Sequence, residues 1–214
     1  MTYQSIIRLV FVALLSLVLP VHANTIDNEL MEARNIFLRG VDGDRQAVRK
    51  AEKRFRTLNA RYPENSVFMA YLGASVTLKG RDAQNNLDKQ RLTEEGLRRI
   101  ERALSYLPDN NGEHSSEYLD TLLVVADTFL YIPAFFNRYE RGRHLLNEIL
   151  GHHHFNKMAA GYKAATYFTA AVIARGNGLE NEYMRYLKLT EEADPQGRDG
   201  QAAKQLLRDL IKGE

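Results

Sequence analysis

Apolar side chains recur at steps of three and four residues in one segment of this chain after another. A clear example is the series Ala47, Val48, Ala51, Phe55 and Leu58. This spacing places the apolar groups on one face of a helix, with charged residues on the other face. No stretch shows the sustained alternation of apolar and polar residues that marks a half-buried strand. The sequence therefore predicts an all-α protein.

Prolines and glycines divide these amphipathic segments. Pro63, Pro108 and Pro195 each follow one of them beside polar turn-forming residues. Glycines predict further turns at Gly40, Gly43, Gly80, Gly112, Gly176, Gly178 and Gly197. The result is about nine helices, expected near residues 26–39, 44–61, 65–79, 88–107, 115–132, 138–150, 157–175, 179–193 and 199–212. Short connections between them predict antiparallel helical hairpins.

Similar short strings close successive helices. They read RYPEN at 61–65, YLPDN at 106–110 and ADPQG at 193–197. Pro63 and Pro108 are 45 residues apart, and the longer interval to Pro195 leaves room for one more junction near His154. A recurrence at this interval is typical of helical repeat proteins.

These residues resemble the tetratricopeptide repeat, a unit of about 34 residues built from two antiparallel helices. Gly73 matches the small residue where the helices cross, Gly80 the turn and Pro108 the close of the second helix. Ala103 is a second small residue on the matching face. The resemblance covers roughly residues 44–195, with extra residues between Gly80 and the second helix. It implies an α-solenoid of about four hairpins whose concave surface binds a partner.

The first 23 residues resemble an export signal. Arg8 precedes the uncharged apolar run 9–19, and small residues lead up to Ala23. Cleavage after Ala23 would leave one domain, residues 24–214, in the periplasm or outside the cell. The apolar run is shorter than the roughly 20 residues that a membrane-spanning helix needs. A retained anchor is the alternative, and no other segment is apolar enough to span a membrane.

Composition and motifs exclude several functional classes. The chain has no cysteine, which rules out disulfides, catalytic thiols, cysteine–zinc sites and a lipid anchor on cysteine. Its 29 basic and 27 acidic side chains nearly balance, which argues against nucleic-acid binding. No catalytic or phosphate-binding motif is present. The sequence therefore predicts a protein that is not an enzyme and needs no cofactor.

Three adjacent histidines, 152–154, are the most conspicuous cluster of metal-ligating residue types. Adjacent side chains diverge, so three in a row seldom reach one ion. A polar turn between helices is the favoured interpretation, a weak transition-metal site is the alternative, and no metal site is predicted.

Two groups of residues are candidates for binding a partner. The aromatic group consists of Tyr118, Phe135, Phe136, Tyr139 and Tyr167. Because Phe135 and Phe136 are adjacent, both can hardly face one core stripe. Core packing is the favoured interpretation of this group, and an exposed anchor or a pocket formed with one of the two rings is the alternative. The basic group consists of Arg45, Arg49 and Lys53, at four-residue steps on one helix. A solvated outer face is the favoured interpretation of the basic group, and a surface for an acidic partner or anionic lipid is the alternative. The acidic segment 179–195 also raises head-to-tail self-association.

Two functions follow from these features. The favoured one is an interaction module or adaptor that binds a protein of the bacterial cell envelope. The alternative is a periplasmic protein, associated with a transporter, that binds a small molecule or lipid. An open groove with exposed Phe135 or Phe136 would favour a protein partner, whereas an enclosed apolar pocket would favour a ligand.

Overall fold

The computed structural model describes residues 21–108 and 114–212. Within these ranges the chain is all-helical, without strands, which confirms the predicted class. The nine α-helices are α1 Val21–Val41, α2 Arg45–Arg61, α3 Ser66–Asp82, α4 Asn86–Ser105, α5 Ser115–Tyr131, α6 Tyr139–Gly151, α7 Ala160–Gly176, α8 Glu180–Ala193 and α9 Arg198–Lys212. The predicted signal segment up to residue 20, and Gly112, lie outside the described residues.

Contacts between the helices follow chain order. Each of the nine helices packs against its neighbours in sequence, and α1, α3, α5, α7 and α9 also contact one another in that order. The odd-numbered helices therefore form a row, and the even-numbered helices pack against it. Buried clusters run along the array, from α1–α3 through α3–α6 to α7–α9. In the two described ranges, no helix combines the length and apolarity needed to cross a membrane.

Glycines let α3 and α4 approach most closely. A Cβ atom on Gly73 would lie 2.7 Å from Cγ1 of Ile100 and 2.8 Å from the carbonyl oxygen of Gly96. A Cβ atom on Gly96 would meet the Gly73 carbonyl oxygen at 2.6 Å. The crossing predicted at Gly73 is therefore confirmed, and its partner is Gly96.

Three glycines predicted to be turns are instead helical: Gly176 is the last residue of α7, and Gly40 and Gly80 approach a neighbouring helix. Gly80 belongs to α3, where a Cβ atom would lie 2.6 Å from Oγ1 of Thr93. Gly40 belongs to α1, where a Cβ atom would lie 3.0 Å from Cγ2 of Val48. Both residues serve close helix approach rather than chain reversal. Gly43 and Gly178 have φ angles of 104° and 72°, as the predicted turns require.

The row of odd-numbered helices bends until its two ends meet. Arg198, the first residue of α9, forms an ion pair of 2.5 Å with Asp42, which follows α1. The two residues are 156 positions apart. Because α1 and α9 are the first and last members of the row, this contact requires the row to curve.

Candidate binding site

Six polar side chains project from the odd-numbered helices within the bulk of the protein. They are Arg34 from α1, Tyr71 from α3, Asp120 and Asp127 from α5, and Tyr162 and Thr169 from α7. We call this set the polar row. It crosses four consecutive odd-numbered helices and brings together polar groups from distant parts of the sequence.

Helix α5 supplies the centre of the polar row. Between Leu119 and Leu130 it is apolar and buried except at a few positions, and Asp120 and Asp127 are its only charges there. Seven residues correspond to about two helical turns, so both carboxylates lie on the same face. Neither was among the residues predicted to bind. The sequence feature that could have revealed them is a pair of acids two turns apart in the mostly apolar stretch 119–130.

Asp120 is paired with a cation. Its carboxylate accepts a short hydrogen bond from the guanidinium of Arg34, and the two side chains are 22% and 21% exposed. The guanidinium carbon lies 5.5 Å from the centre of the Tyr71 ring, a cation–π distance. Tyr71 is itself stacked on Phe55, with ring centres 4.7 Å apart. Burial raises the pKa of Asp120, and Arg34 opposes this effect by stabilising the carboxylate.

Asp127 has a weaker partner. One carboxylate oxygen accepts a hydrogen bond of 2.8 Å from the Thr169 hydroxyl, and no ion pair reaches Asp127 from the described residues. Burial raises the pKa of Asp127 to about 7, and the charge of Asp199 adds to the shift. Thr169 and, more weakly, Arg198 oppose it. The polar row thus contains one compensated and one poorly compensated carboxylate.

Tyr162 lies close enough to both aspartates for their charges to act on it. Its hydroxyl donates a hydrogen bond of 2.7 Å to the carbonyl oxygen of Leu119, which ties α7 to α5. Burial raises the pKa of Tyr162 well above its usual value, and the charges of Asp120 and Asp127 raise it further. The polar row is therefore one electrostatic unit rather than a set of separate contacts.

We expect Asp120→Ala to lower the free energy of unfolding by about 1–3 kcal/mol, because it leaves the guanidinium of Arg34 partly buried without a carboxylate. Glu29→Ala is the matched control, since it removes the partner of Arg61 in a more exposed ion pair. That change should cost no more than about 1 kcal/mol. Urea unfolding of both variants measures the difference, and equal losses would show that the Arg34–Asp120 pair has no special role in stability.

Phe135 and Phe136 follow α5 in a short 3-10 helix, Ala134–Phe136. Phe135 is 72% exposed, whereas Phe136 is partly buried and packs against the core cluster of α3–α6. Their ring centres are 4.2 Å apart. The Phe135 ring thus faces solvent and packs against the partly buried Phe136 ring, as expected of an exposed aromatic anchor.

The other three aromatic candidates are partly buried. Tyr118 donates a short hydrogen bond to Glu148, and the Tyr167 ring centre lies 5.4 Å from that of Phe155. Tyr139 packs against the cluster of Leu130 and its neighbours. These three side chains stabilise contacts between helices, and their predicted role in binding stays a prediction.

The basic candidates Arg45, Arg49 and Lys53 are exposed on α2, opposite its buried apolar face. Helix α2 is one of the flanking helices, so the structure does not place these cations in the polar row. The histidines 152–154 follow α6 in a turn, and no group in the described ranges has the three ligands that a metal ion needs.

One cavity within the described ranges has a volume of about 440 Å³ and is open to solvent. It lies between α1 and the start of α3, beside Tyr62 and Phe68, and shares no lining residue with the polar row.

No protein-family profile matches the chain, and neither a curated protein nor a solved structure is significantly similar to it. The polar row and the exposed aromatic residues beside it are therefore the basis for assigning a function.

Proposed function

We propose that this protein is an exported α-solenoid of tetratricopeptide-like hairpins that binds a segment of a partner protein in the cell envelope. The partner would lie along the odd-numbered helices, across the polar row and the aromatic residues that follow α5. The observation that carries this proposal is the polar row itself, which crosses four consecutive odd-numbered helices.

The order of helix contacts supports the solenoid. In a stacked-hairpin array, the first helices of successive hairpins pack side by side and line the concave surface. Here α1, α3, α5, α7 and α9 contact one another in sequence. The contact between Arg198 and Asp42 adds the curvature that a concave surface needs.

Exposed aromatic residues support a protein partner. Tyr131 is 60% exposed at the end of α5, and Phe135 is 72% exposed a few residues later. Tyr131 is one turn beyond Asp127, so the aromatic surface continues directly from the polar row. Aromatic anchors next to hydrogen-bonding groups are typical of the sites that contribute most to protein–protein affinity. A small-molecule or lipid carrier would instead need an enclosed apolar cavity.

Site-specific photo-crosslinking in cells tests the proposal. A photoreactive phenylalanine analogue at position 135 of the full chain should capture one reproducible envelope protein. The matched control places the analogue at position 87, because Leu87 is also strongly exposed, at 78%, but belongs to the flanking helix α4. Capture of the same proteins from both positions, or of none from position 135, would contradict the proposal.

Phe135→Ala should weaken this capture when the analogue is moved to position 131. The variant should leave the free energy of unfolding within about 0.5 kcal/mol of the parent, since Phe135 is mostly exposed. A loss of capture without a loss of stability would assign the aromatic ring to binding rather than to folding.

A further inference from the structure

We infer that the surface beside Asp127 receives a lysine or arginine side chain of the bound partner. This inference rests on the proposed function, because it names the chemical group that the polar row recognises. Its basis is a comparison of the two aspartates of α5, which share one helix face but have different surroundings.

The surroundings of Asp120 show how the polar row holds a cation. The Arg34 guanidinium ion-pairs with the carboxylate and lies over the Tyr71 ring at 5.5 Å. An acid, an aromatic ring and a cation thus form a complete set, supplied by three different helices. The chain itself provides the cation because α1 lies next to α3 in the row.

Asp127 is likewise an acid near an aromatic ring, but no cation from the described residues is paired with it. It lies two turns further along the same face, with the Thr169 hydroxyl at 2.8 Å and the exposed Tyr131 ring one turn away. No arginine or lysine of the described residues comes within ion-pair distance of its carboxylate. A carboxylate held away from bulk water is costly unless a cation accompanies it. An incoming ammonium or guanidinium group would complete the arrangement.

Neighbouring charges favour a cation at this position. Arg198 is the nearest basic group that affects Asp127, but it is already engaged with Asp42 at 2.5 Å and with Asp199 at 3.4 Å. Three carboxylates therefore share one guanidinium at this end of the row. The remaining polar groups around Asp127 are neutral hydroxyls, from Thr169, Tyr131, Tyr71 and Tyr162.

The number of ligands distinguishes a side-chain cation from a metal ion. Hard cations such as Ca²⁺ take six or more oxygen ligands, several of them carboxylates. No group of three acidic or histidine ligands suitable for a metal ion occurs in the ranges that the structure describes. A single carboxylate beside a hydroxyl and an aromatic ring is sufficient for an ammonium or guanidinium group, which can use both the ion pair and the cation–π contact.

Nuclear magnetic resonance titration of the full chain tests the inference with two end-blocked tripeptides, Ala-Lys-Ala and Ala-Gln-Ala. The lysine tripeptide should cause saturable shifts of the amides of residues 127, 131 and 169, with an affinity at least about ten-fold above that of the glutamine tripeptide. Asp127→Asn should abolish this preference. Glu192→Gln, which removes an exposed acid on α8, should retain it.

Equal binding of the two tripeptides, absence of binding by the lysine tripeptide, or full retention of the preference in Asp127→Asn would each overturn the inference. These outcomes are separate from failure of the proposed function. If position 135 still captures an envelope protein in cells, the binding function stands and only the cationic contact is lost. If position 135 captures nothing, the function fails whatever the tripeptides do.

Discussion

Gly73→Leu should destabilise the protein by about 3 kcal/mol or more, at the upper end of what overpacking costs. Even the first atom of the new side chain has no space, because a Cβ atom would lie 2.7 Å from the Ile100 side chain and 2.8 Å from the Gly96 carbonyl oxygen. A side chain can rotate away, but the backbone of α4 cannot retreat without separating the two helices. Urea unfolding of the protein and its variant measures the loss.

Gly151→Leu is the matched control for this prediction. Gly151 ends α6, and a Cβ atom there would meet no other atom within 4 Å. The same substitution should therefore change the free energy of unfolding by less than about 1 kcal/mol. If both variants unfold at the same urea concentration as the parent, close approach at Gly73 does not determine the stability of the α3–α4 pair.

Asp127→Asn should stabilise the protein at pH 8, by roughly 2–4 kcal/mol, and have little effect at pH 4. The pKa of Asp127 is about 7 in the folded protein and its ordinary value is 3.8. Between these values the folded protein retains a proton that the unfolded chain has released. The free energy of unfolding of the parent should therefore fall as pH rises from about 4 to 7 and then level off.

The asparagine variant lacks this titration and keeps an oxygen that can accept the Thr169 hydrogen bond. Subtracting its pH–stability curve from that of the parent isolates the contribution of Asp127. Glu192→Gln, which removes an exposed acid on α8, is again the control. A stability difference between Asp127→Asn and the parent that is the same at pH 4 and pH 8 would show that Asp127 titrates normally.

The helices were predictable because their signals are local. Apolar spacing identifies each buried face, and prolines at 63, 108 and 195 mark three junctions, so the predicted bounds agree with the observed ones to within a few residues at most ends. The crossing at Gly73 was also predictable, because the residues around it resemble a tetratricopeptide repeat, which has a small residue where its two helices cross. No long-range contact had to be known for either prediction.

Gly40 and Gly80 show where local signals end. Each stands two residues before an aspartate, as a turn glycine can, yet both lie in helices and contact a neighbouring helix. Only the identity of the crossing partner separates the two roles. Gly43, whose positive φ does reverse the chain, has the same appearance in the sequence.

The polar row was not predicted because its partners are far apart in sequence. Arg34 meets Asp120 across 86 positions, and Thr169 meets Asp127 across 42. An arginine near the beginning of the chain and a threonine near its end carry no local mark of these contacts. The two acids of α5 were the only part of the row that the sequence could have revealed, since charges are costly on a buried helix.

The meeting of Arg198 with Asp42 has a consequence for the order in which the molecule assembles. Extensive contacts in the described chain join helices that are one or two places apart, so each hairpin can form as soon as its residues are available. The ion pair between Arg198 and Asp42 spans 156 positions and forms only when α9 reaches the other end of the row. A chain without α9 would thus retain the contacts among α1 to α8 while the two ends of the row stay unjoined.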